Sequence, residues 1–425
     1  MHIKSIKLGN FRGAASLPLE LHQKLNVFVG MNGSGKSSVL DATAILFSWL
    51  VNRIKHSGAS GRPITEADIR NGEHYSDISL IICDGNKELS WSIAKVRKGY
   101  SRKGAASQLS GASEAAKQVQ AEISEHDGHV NLNLFAYYPV NRAVLDIPLR
   151  IREKHSFDIL STYDESLTSG ANFRTFFEWY REREDLENEN RKYINDLIKP
   201  SDFQFPDPQL DAVRKALKHF MPDFRNLTVR RNPLRMEIEK KGIRITVNQL
   251  SDGEKCLMAM IGDLARRLAI ANPNLENPLD GNGVILIDEV DLHLHPKWQR
   301  MVVPMLTEVF PNCQFLISTH SPHVINHVKA ESLIILRMDE GELRSTRPSQ
   351  SYGQPVERIL EDLMGLETTR PDDISKDLCR IYQYIEEDKL MSAKDLIENL
   401  QSRIGADSEL MKANVLIKRK QMIGK

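Results

Sequence analysis

The sequence predicts an α/β protein with a mixed, largely parallel central sheet, an inserted helical lobe and a C-terminal helical extension. Three observations carry that prediction. An apolar run, LNVFVG, leads straight into a glycine-rich loop, GMNGSGKS, and then into SVLDATAILFSWLVNRI, whose apolar residues recur at helical spacing. Far down the chain, two more apolar runs, GVILIDEV and CQFLISTH, flank the helix candidate PKWQRMVVPMLTEVF, which is the pattern of a parallel sheet. Between these ends lies FRTFFEWYREREDLENENRKYINDLI, a long and heavily charged helix candidate.

Taken in order, IKSIKL and SLPLEL read as two short strands joined by a turn at residues 10–13. After the glycine loop and its helix, DISLIICD and ELSWSIAKVRK read as strands. GYSRKGAASQLSGAS lacks large apolar groups and reads as an exposed loop. LFAYYPVNRAV is a buried strand that emerges at Asn141 and Arg142. LDAVRKALKHFM has an apolar stripe and gives the lobe a second helix. NLTVR, LRMEIEK and IRITVNQL are strand-like, and LSDGEKCLMAMIGDLARRLAI opens a helix with a strong apolar face. SLIILRM and GELRST supply the last strands, and beyond Pro348 the chain is mostly helical. The expected division is a head formed by residues 1–156 and 226–347, a lobe at 157–225, and an extension at 348–425.

The chain has 425 residues, 41% of them hydrophobic and 27% charged, with zero formal net charge. That is a globular composition, without the signature of disorder or of a membrane span. The N-terminus lacks the continuous apolar segment of a signal peptide. Cys83, Cys256, Cys313 and Cys379 are too scattered for a disulfide frame or a structural zinc site. A cytoplasmic protein is expected.

The glycine loop carries the clearest chemistry. Residues 30–37 match the phosphate-loop pattern completely, in the strand–loop–helix context that pattern needs. Asn32, Gly33, Ser34, Gly35 and Ser38 belong to the cradle, where backbone N–H groups face phosphate oxygens. Lys36 would reach the β- and γ-phosphates of ATP, and the Ser37 hydroxyl would sit on Mg²⁺. The run VILIDE ends in two carboxylates at the edge of the sheet. Asp288 is the expected Mg²⁺ partner through water, and Glu289 the base or water-orienting group. His320, at the end of CQFLISTH, is placed to meet the γ-phosphate and the attacking water. Ser251 and Glu254 form a capping box, and a helix opening with a serine and a glycine also suits a phosphate.

These motifs, in this order, resemble the ABC ATPase heads of the SMC and RecF-like branch. GMNGSGKS is similar to the Walker A motif, LSDGE to the signature motif, ILIDEVDLHLHP to Walker B with its following loop, and STHSP to the switch-histidine loop. The resemblance implies that two heads meet head to tail, with Ser251 and Gly253 of one contacting the γ-phosphate held by the other. It further implies Glu289 as catalytic glutamate, His320 as switch histidine, and Arg12 as the N-terminal arginine that contacts nucleotide. Asn141 stands where the family carries a glutamine. Two departures point to a compact branch: His295 occupies the position of the D-loop aspartate, and the insertion is too short for a coiled-coil arm. The tail also lacks the acidic cluster of the Toprim nucleases attached to overcoming-lysogenization ATPases, since Asp372 and Asp373 only precede helices.

Within that branch the chain resembles the ATPase subunit of Septu anti-phage systems, also found beside some retrons. AYYPVNRAVLDIP, HLHPKWQR, SYGQPVERIL and KDLIENLQSRIG carry this likeness. It implies a small HNH nuclease as partner, assembly of the chain with itself into dimers or larger oligomers, and contact with DNA, RNA or retron components, with no membrane. The tail after Gly353 is either a docking segment for that partner or a helical cap on the sheet. Two basic runs are candidates for nucleic acid: Lys95, Arg97, Lys98, Arg102 and Lys103 around Tyr100, and Arg230, Arg231 and Arg235. Arg181, Arg183, Arg191 and Lys192 are expected to pair with neighbouring acids along one helix. The competing function is a RecF-like repair ATPase that works without a nuclease.

Overall fold

The computed structural model describes residues 1–101, 106–140, 157–168, 173–195, 199–200 and 203–423. The chain forms two compact units, Met1–Val356 and Glu357–Lys425.

In the first unit, β1 (His2–Phe11), β2 (Ala14–Glu20), β4 (Tyr75–Asp84) and β5 (Lys87–Val96) make an antiparallel sheet in the order β2-β1-β4-β5. The second sheet is six-stranded and in the order β13-β12-β3-β11-β10-β6. Its strands are β3 (Leu25–Val29), β6 (Leu134–Tyr138), β10 (Gly283–Ile287), β11 (Cys313–Ser318), β12 (Leu333–Asp339) and β13 (Glu342–Thr346). All neighbours pair in parallel except the β12–β13 edge. The parallel strands β10 and β11 are buried along their whole length, which is why their sequences are mainly apolar, with Gln314 and Ser318 as the buried polar exceptions.

Helix α1 (Lys36–Lys55) touches strands of both sheets and is buried on nearly every face, from Val39 through Phe47 to Ile54. α2 (Ser110–Glu125) lies beside α1 and β5. Part of the expected loop is thus helix. Its contact face is built from Gly111, Ala112, Ala115 and Ala116, so no large apolar residue announces it. A Cβ at Gly111 would lie 2.2 Å from the Ser90 carbonyl oxygen, so only glycine permits this approach.

The lobe holds α3 (Phe173–Asn190) and α4 (Pro208–Phe220), which pack on α5 (Asp252–Ala271). Phe173, Phe176, Trp179 and Tyr180 form the aromatic contact face of α3. The following strands, β7 (Phe224–Arg231), β8 (Leu234–Lys240) and β9 (Ile243–Thr246), do not join the main sheet. They form an antiparallel sheet of their own. α6 (Pro296–Val309) and the short α7 (Pro322–Ile325) complete the unit.

The division falls within the short α8 (Val356–Arg358); in the second unit a π turn at Ile359–Leu363 leads to α9 (Asp372–Glu386), α10 (Leu390–Ile404) and α11 (Ser408–Ile423). Ile381, Ile385, Ile397, Leu400 and Ile417 centre the core of this bundle. No helix among the described residues is long and apolar enough to cross a membrane.

Candidate functional site

Strand order positions the site. β3, β11 and β10 are parallel neighbours, so their C-terminal ends deliver the glycine loop, His320 and Asp288–Glu289 to one edge of the sheet. The loop is seated on the opposite flank: a Cβ at Gly30 would lie 2.2 Å from the Leu336 carbonyl oxygen of β12. Gly35 turns the chain into α1 at φ 80°, where a side chain would be strained and would also strike Leu343. The first turn of α1 has neither a side-chain cap nor an acidic residue. Its N–H groups therefore present positive potential to an anion. Asn32, Gly33 and Ser37 are exposed, Ser38 is half-buried, and the Ser34 hydroxyl is buried without a hydrogen-bond partner. The buried Lys36 ammonium donates to the carbonyls of Gly30 (2.9 Å) and Met31 (3.0 Å), which holds it across its own loop.

Ser318 organises the acidic side. Its hydroxyl donates to the Asp288 carboxylate and accepts the Glu289 N–H at 2.7 Å. The Asp288 N–H in turn donates to the Tyr138 carbonyl at 2.9 Å, which ties β10 to β6. Glu289 sits at φ 46°, a left-handed backbone that costs a non-glycine residue roughly 1–2 kcal/mol. The Thr319 hydroxyl donates to Asp291 at 2.5 Å. Burial pushes the Lys36 ammonium below its ordinary value, against the pull of Asp288, Glu289 and Asp291. Burial and the Lys36 charge also hold the His320 imidazole below its ordinary value, against the same three carboxylates. Lys36, Asp288, Glu289, Asp291 and His320 therefore share one electrostatic site, in which His320 is kept neutral.

Beside this site is a cavity of about 470 Å³ lined by Arg12, Ser37, Asp41, Arg62, Tyr137 and Thr168, within the range of small-molecule sites. Arg12 bridges Asp41 and Asp68, the latter at 2.9 Å, while Arg62 takes the other Asp41 oxygen. Burial opposes ionisation of Asp68, but Thr65 and Arg12 outweigh it and keep the carboxyl below its usual range. Asp41 lies one helical turn beyond Ser37, so a single helix face carries both.

Ser251 caps α5. Its hydroxyl accepts the Glu254 N–H at 3.4 Å, and its own N–H donates to the Glu254 carboxylate at 3.0 Å. Glu254 also pairs with Lys240 of β8 at 2.6 Å. Ser251 is exposed and does not line the cavity around Ser37. Gly253 is buried: a Cβ there would lie 2.3 Å from the His293 carbonyl oxygen, in the loop after Glu289. His295 caps α6, accepting the Lys297 N–H at 3.2 Å.

The model of the RecF/RecN/SMC N-terminal domain matches residues 2–344. The chain belongs to this family. Within it, the retron Ec83 probable ATPase of Escherichia coli is 30% identical, over 97% of this chain and 85% of that one. The retron Vc95 probable ATPase of Vibrio cholerae serotype O1 biovar El Tor is 31% identical, over 79% and 73%. The Septu protein PtuA of Bacillus thuringiensis is 25% identical, over 87% and 85%. Among solved structures, the SMC head bound to the C-winged helix domain of ScpA covers 82% of this chain and 98% of its own, with a TM-score of 0.51 at 16% identity. That likeness fixes the fold as an SMC-type head.

Several expectations change in this SMC-family chain. Asn141, Arg142, Arg102 and Lys103 lie outside the described residues. Arg97 donates to the backbone carbonyls of Glu73 and Ile69, and Tyr100 stacks on His74, so both are used by the fold. Arg181 does pair with Asp185 one turn on, but Arg183 reaches Asp207 and Arg191 lies over the Phe205 ring. Sequence reasoning missed Asp41, Arg62, Tyr137, Asp291 and Ser318. A hydroxyl closing a strand beside His320 was the one local signal for Ser318.

Proposed function

We propose that this chain binds and hydrolyses ATP as a head-to-tail pair and thereby gates a small HNH nuclease within a bacterial anti-phage defence complex. The observation that carries the reading is the near full-length likeness to a retron probable ATPase, in a chain whose glycine loop, carboxylate pair and histidine meet at one sheet edge.

The residues fit a magnesium nucleotide. α1 offers uncapped N–H donors and no acid in its first turn, and the orphaned Ser34 hydroxyl adds a polar group to the loop. Ser37 and Asp288 supply the oxygen donors a hard cation takes. Bound Mg²⁺ would neutralise phosphate charge between those two residues. Lys36 would leave the Gly30 and Met31 carbonyls for the β- and γ-phosphates. Arg12 and the Ser37 cavity would hold the nucleoside side. Glu289 would orient or deprotonate the attacking water, with His320 neutral and able to accept or donate one hydrogen bond. Ser251 and Gly253 would complete the partner's site, as the signature motif does in the family. Ser251 suits that role, because it is exposed and its capping bond is long.

The second unit is the proposed docking element for the nuclease. Met411, Val415 and Met422 are exposed along one face of α11, which is the kind of apolar stripe that marks a binding surface. The test is recovery of the chain from its native host, with every co-purifying subunit identified. A stoichiometric HNH nuclease, lost on truncation after Val356, supports the reading. A bare dimer would replace it with the RecF-like repair reading.

A further inference from the structure

The His320 ring makes no hydrogen bond among the described residues, so its place is set by the residues on either side of it. Thr319 and Ser321 are both buried, and both are engaged. The Thr319 hydroxyl donates to the Asp291 carboxylate at 2.5 Å and accepts the Ser321 N–H at 3.0 Å. The Ser321 hydroxyl donates to Gln299 Oε1 at 2.8 Å and accepts the N–H groups of His323 and Val324 at 3.1 and 3.4 Å. Gln299, near the start of α6, turns its Nε2 the other way, to the carbonyls of Leu294 at 2.8 Å and Asp291 at 3.4 Å. The circuit therefore closes, from Asp291 through Thr319, Ser321 and Gln299 back to the Asp291 and Leu294 backbone.

Chemistry fixes the orientation of the amide. Backbone carbonyls only accept, so the NH₂ group must face them. The Ser321 oxygen already takes two N–H groups, so its own proton goes to the Gln299 oxygen. Side chains of similar length cannot do both: ionised glutamate only accepts, lysine only donates, and methionine offers a weak acceptor alone. The loop held by this amide contains two non-glycine residues in left-handed backbone, Glu289 at φ 46° and His293 at φ 61°. Such a conformation persists only where the surroundings impose it.

We propose that Gln299 is a positioning residue, which locks the loop following Glu289 to the loop carrying His320. The carboxylate and the imidazole then keep a fixed relation to one another. For its chemical use this inference rests on the ATPase reading; for the lock itself it rests on the hydrogen bonds alone. Gln299 bonds to neither the glycine loop nor the residues lining the Ser37 cavity. Its loss should therefore fall on turnover and spare nucleotide affinity, because a misplacement of about 1 Å costs a catalytic pair on the order of 10²-fold.

Two measurements on the full chain test this. Hydrogen exchange without nucleotide reads the lock: in Gln299→Met, segments 290–295 and 319–324 should both lose protection by about 2- to 10-fold, the worth of an ordinary hydrogen bond. Steady-state hydrolysis and calorimetric titration read its use. In Gln299→Met, kcat should fall about 10- to 100-fold while nucleotide affinity stays within about twofold of wild type. Ser321→Ala should reproduce both results, and Ser321→Thr, which keeps the hydroxyl, should behave as wild type. Gln299→Met added to Ser321→Ala should cost turnover little beyond Ser321→Ala alone, since both open one circuit. If Gln299→Met does not fold, the two Ser321 variants carry the same expectations. The proposal is overturned if the folded variants turn over within about twofold of wild type, or if turnover and affinity fall by the same factor. It is equally overturned if only one segment loses protection or if the two losses add. A wild-type chain without turnover would remove the ATPase reading, and the exchange comparison would then decide for or against the lock.

Discussion

Two helices of the head, α1 and α5, are both twenty residues long and both buried on nearly every face, yet they begin in opposite ways. α5 satisfies its own first turn: Ser251 and Glu254 exchange hydrogen bonds, and Asp252 and Glu254 add negative charge to the positive end. α1 satisfies nothing. Gly35 brings no side chain, and no acid follows. A helix end without a side-chain cap, beside the exposed Asn32, Gly33 and Ser37, leaves its donors open to solvent or to a ligand. It is complete with an anion. The contrast separates a helix that begins for the fold from one that begins for a ligand. It also shows why the signature motif reads locally as an ordinary cap.

The strongest way to break this contrast is at the acidic side of α1's site. Glu289→Gln should lower ATP turnover by about 10²–10⁴-fold while preserving binding, because it removes a proton acceptor and keeps the shape. Phosphate release and nucleotide affinity measured together would test it, and full turnover would remove Glu289 from the chemistry. Lys36→Ala should weaken nucleotide binding by about 10- to 100-fold, the worth of a charged hydrogen bond of roughly 1.5–3 kcal/mol. Calorimetric titration reads that directly; an unchanged affinity would mean the loop is structural.

On α5, Gly253→Ala should destabilise the fold by about 1–3 kcal/mol, because the new methyl would meet the His293 carbonyl rather than a flexible side chain. A neutral melting curve would show that the two loops separate easily. Ser251→Asp sharpens the comparison. Aspartate caps as well as serine does, so stability should stay within about 0.5 kcal/mol. Its charge should repel the phosphate held by a second head, so ATP-dependent dimerisation should fail. Light scattering with Glu289→Gln as background reads this, and intact dimers would confine Ser251 to its capping role.

The smallest effect is in pH. His320 is depressed below about 6.5 by burial and by Lys36. Between that depressed value and 6.5 the unfolded chain binds the extra proton, so stability is full above 6.5 and declines as pH falls through the window. His320→Asn should flatten that part of the melting-temperature profile. An unaltered slope would place the titrating group elsewhere.

Much of this was legible in the residues. A strand, a glycine loop and a helix are contiguous, so 30–37 identifies its own context. The runs through Ile287 and Ile317 are mainly apolar, with Gln314 the exception, because parallel strands here have no wet face. What stayed hidden depends on partners distant in sequence. Asp68 looks like a solvated charge until the fold brings it to 2.9 Å from Arg12. Glu184 and Glu187 belong to a charged helix, but both are buried because Arg231 and Arg214 arrive from other elements. α2 was hidden for a different reason. Its buried face is made of glycine and alanine, which carry little hydropathy contrast. The strands β7–β9 announced themselves as strands, but which sheet they join is not a local property.

The close approach of Gly253 to His293 has a further consequence. In the proposed head-to-tail pair, the segment that each chain would lend to its neighbour's nucleotide rests on the backbone just past its own Glu289. The two backbones are packed too closely for either to move toward the other. Two sites joined in this way would be coupled: a movement at one would be felt in the geometry of the other.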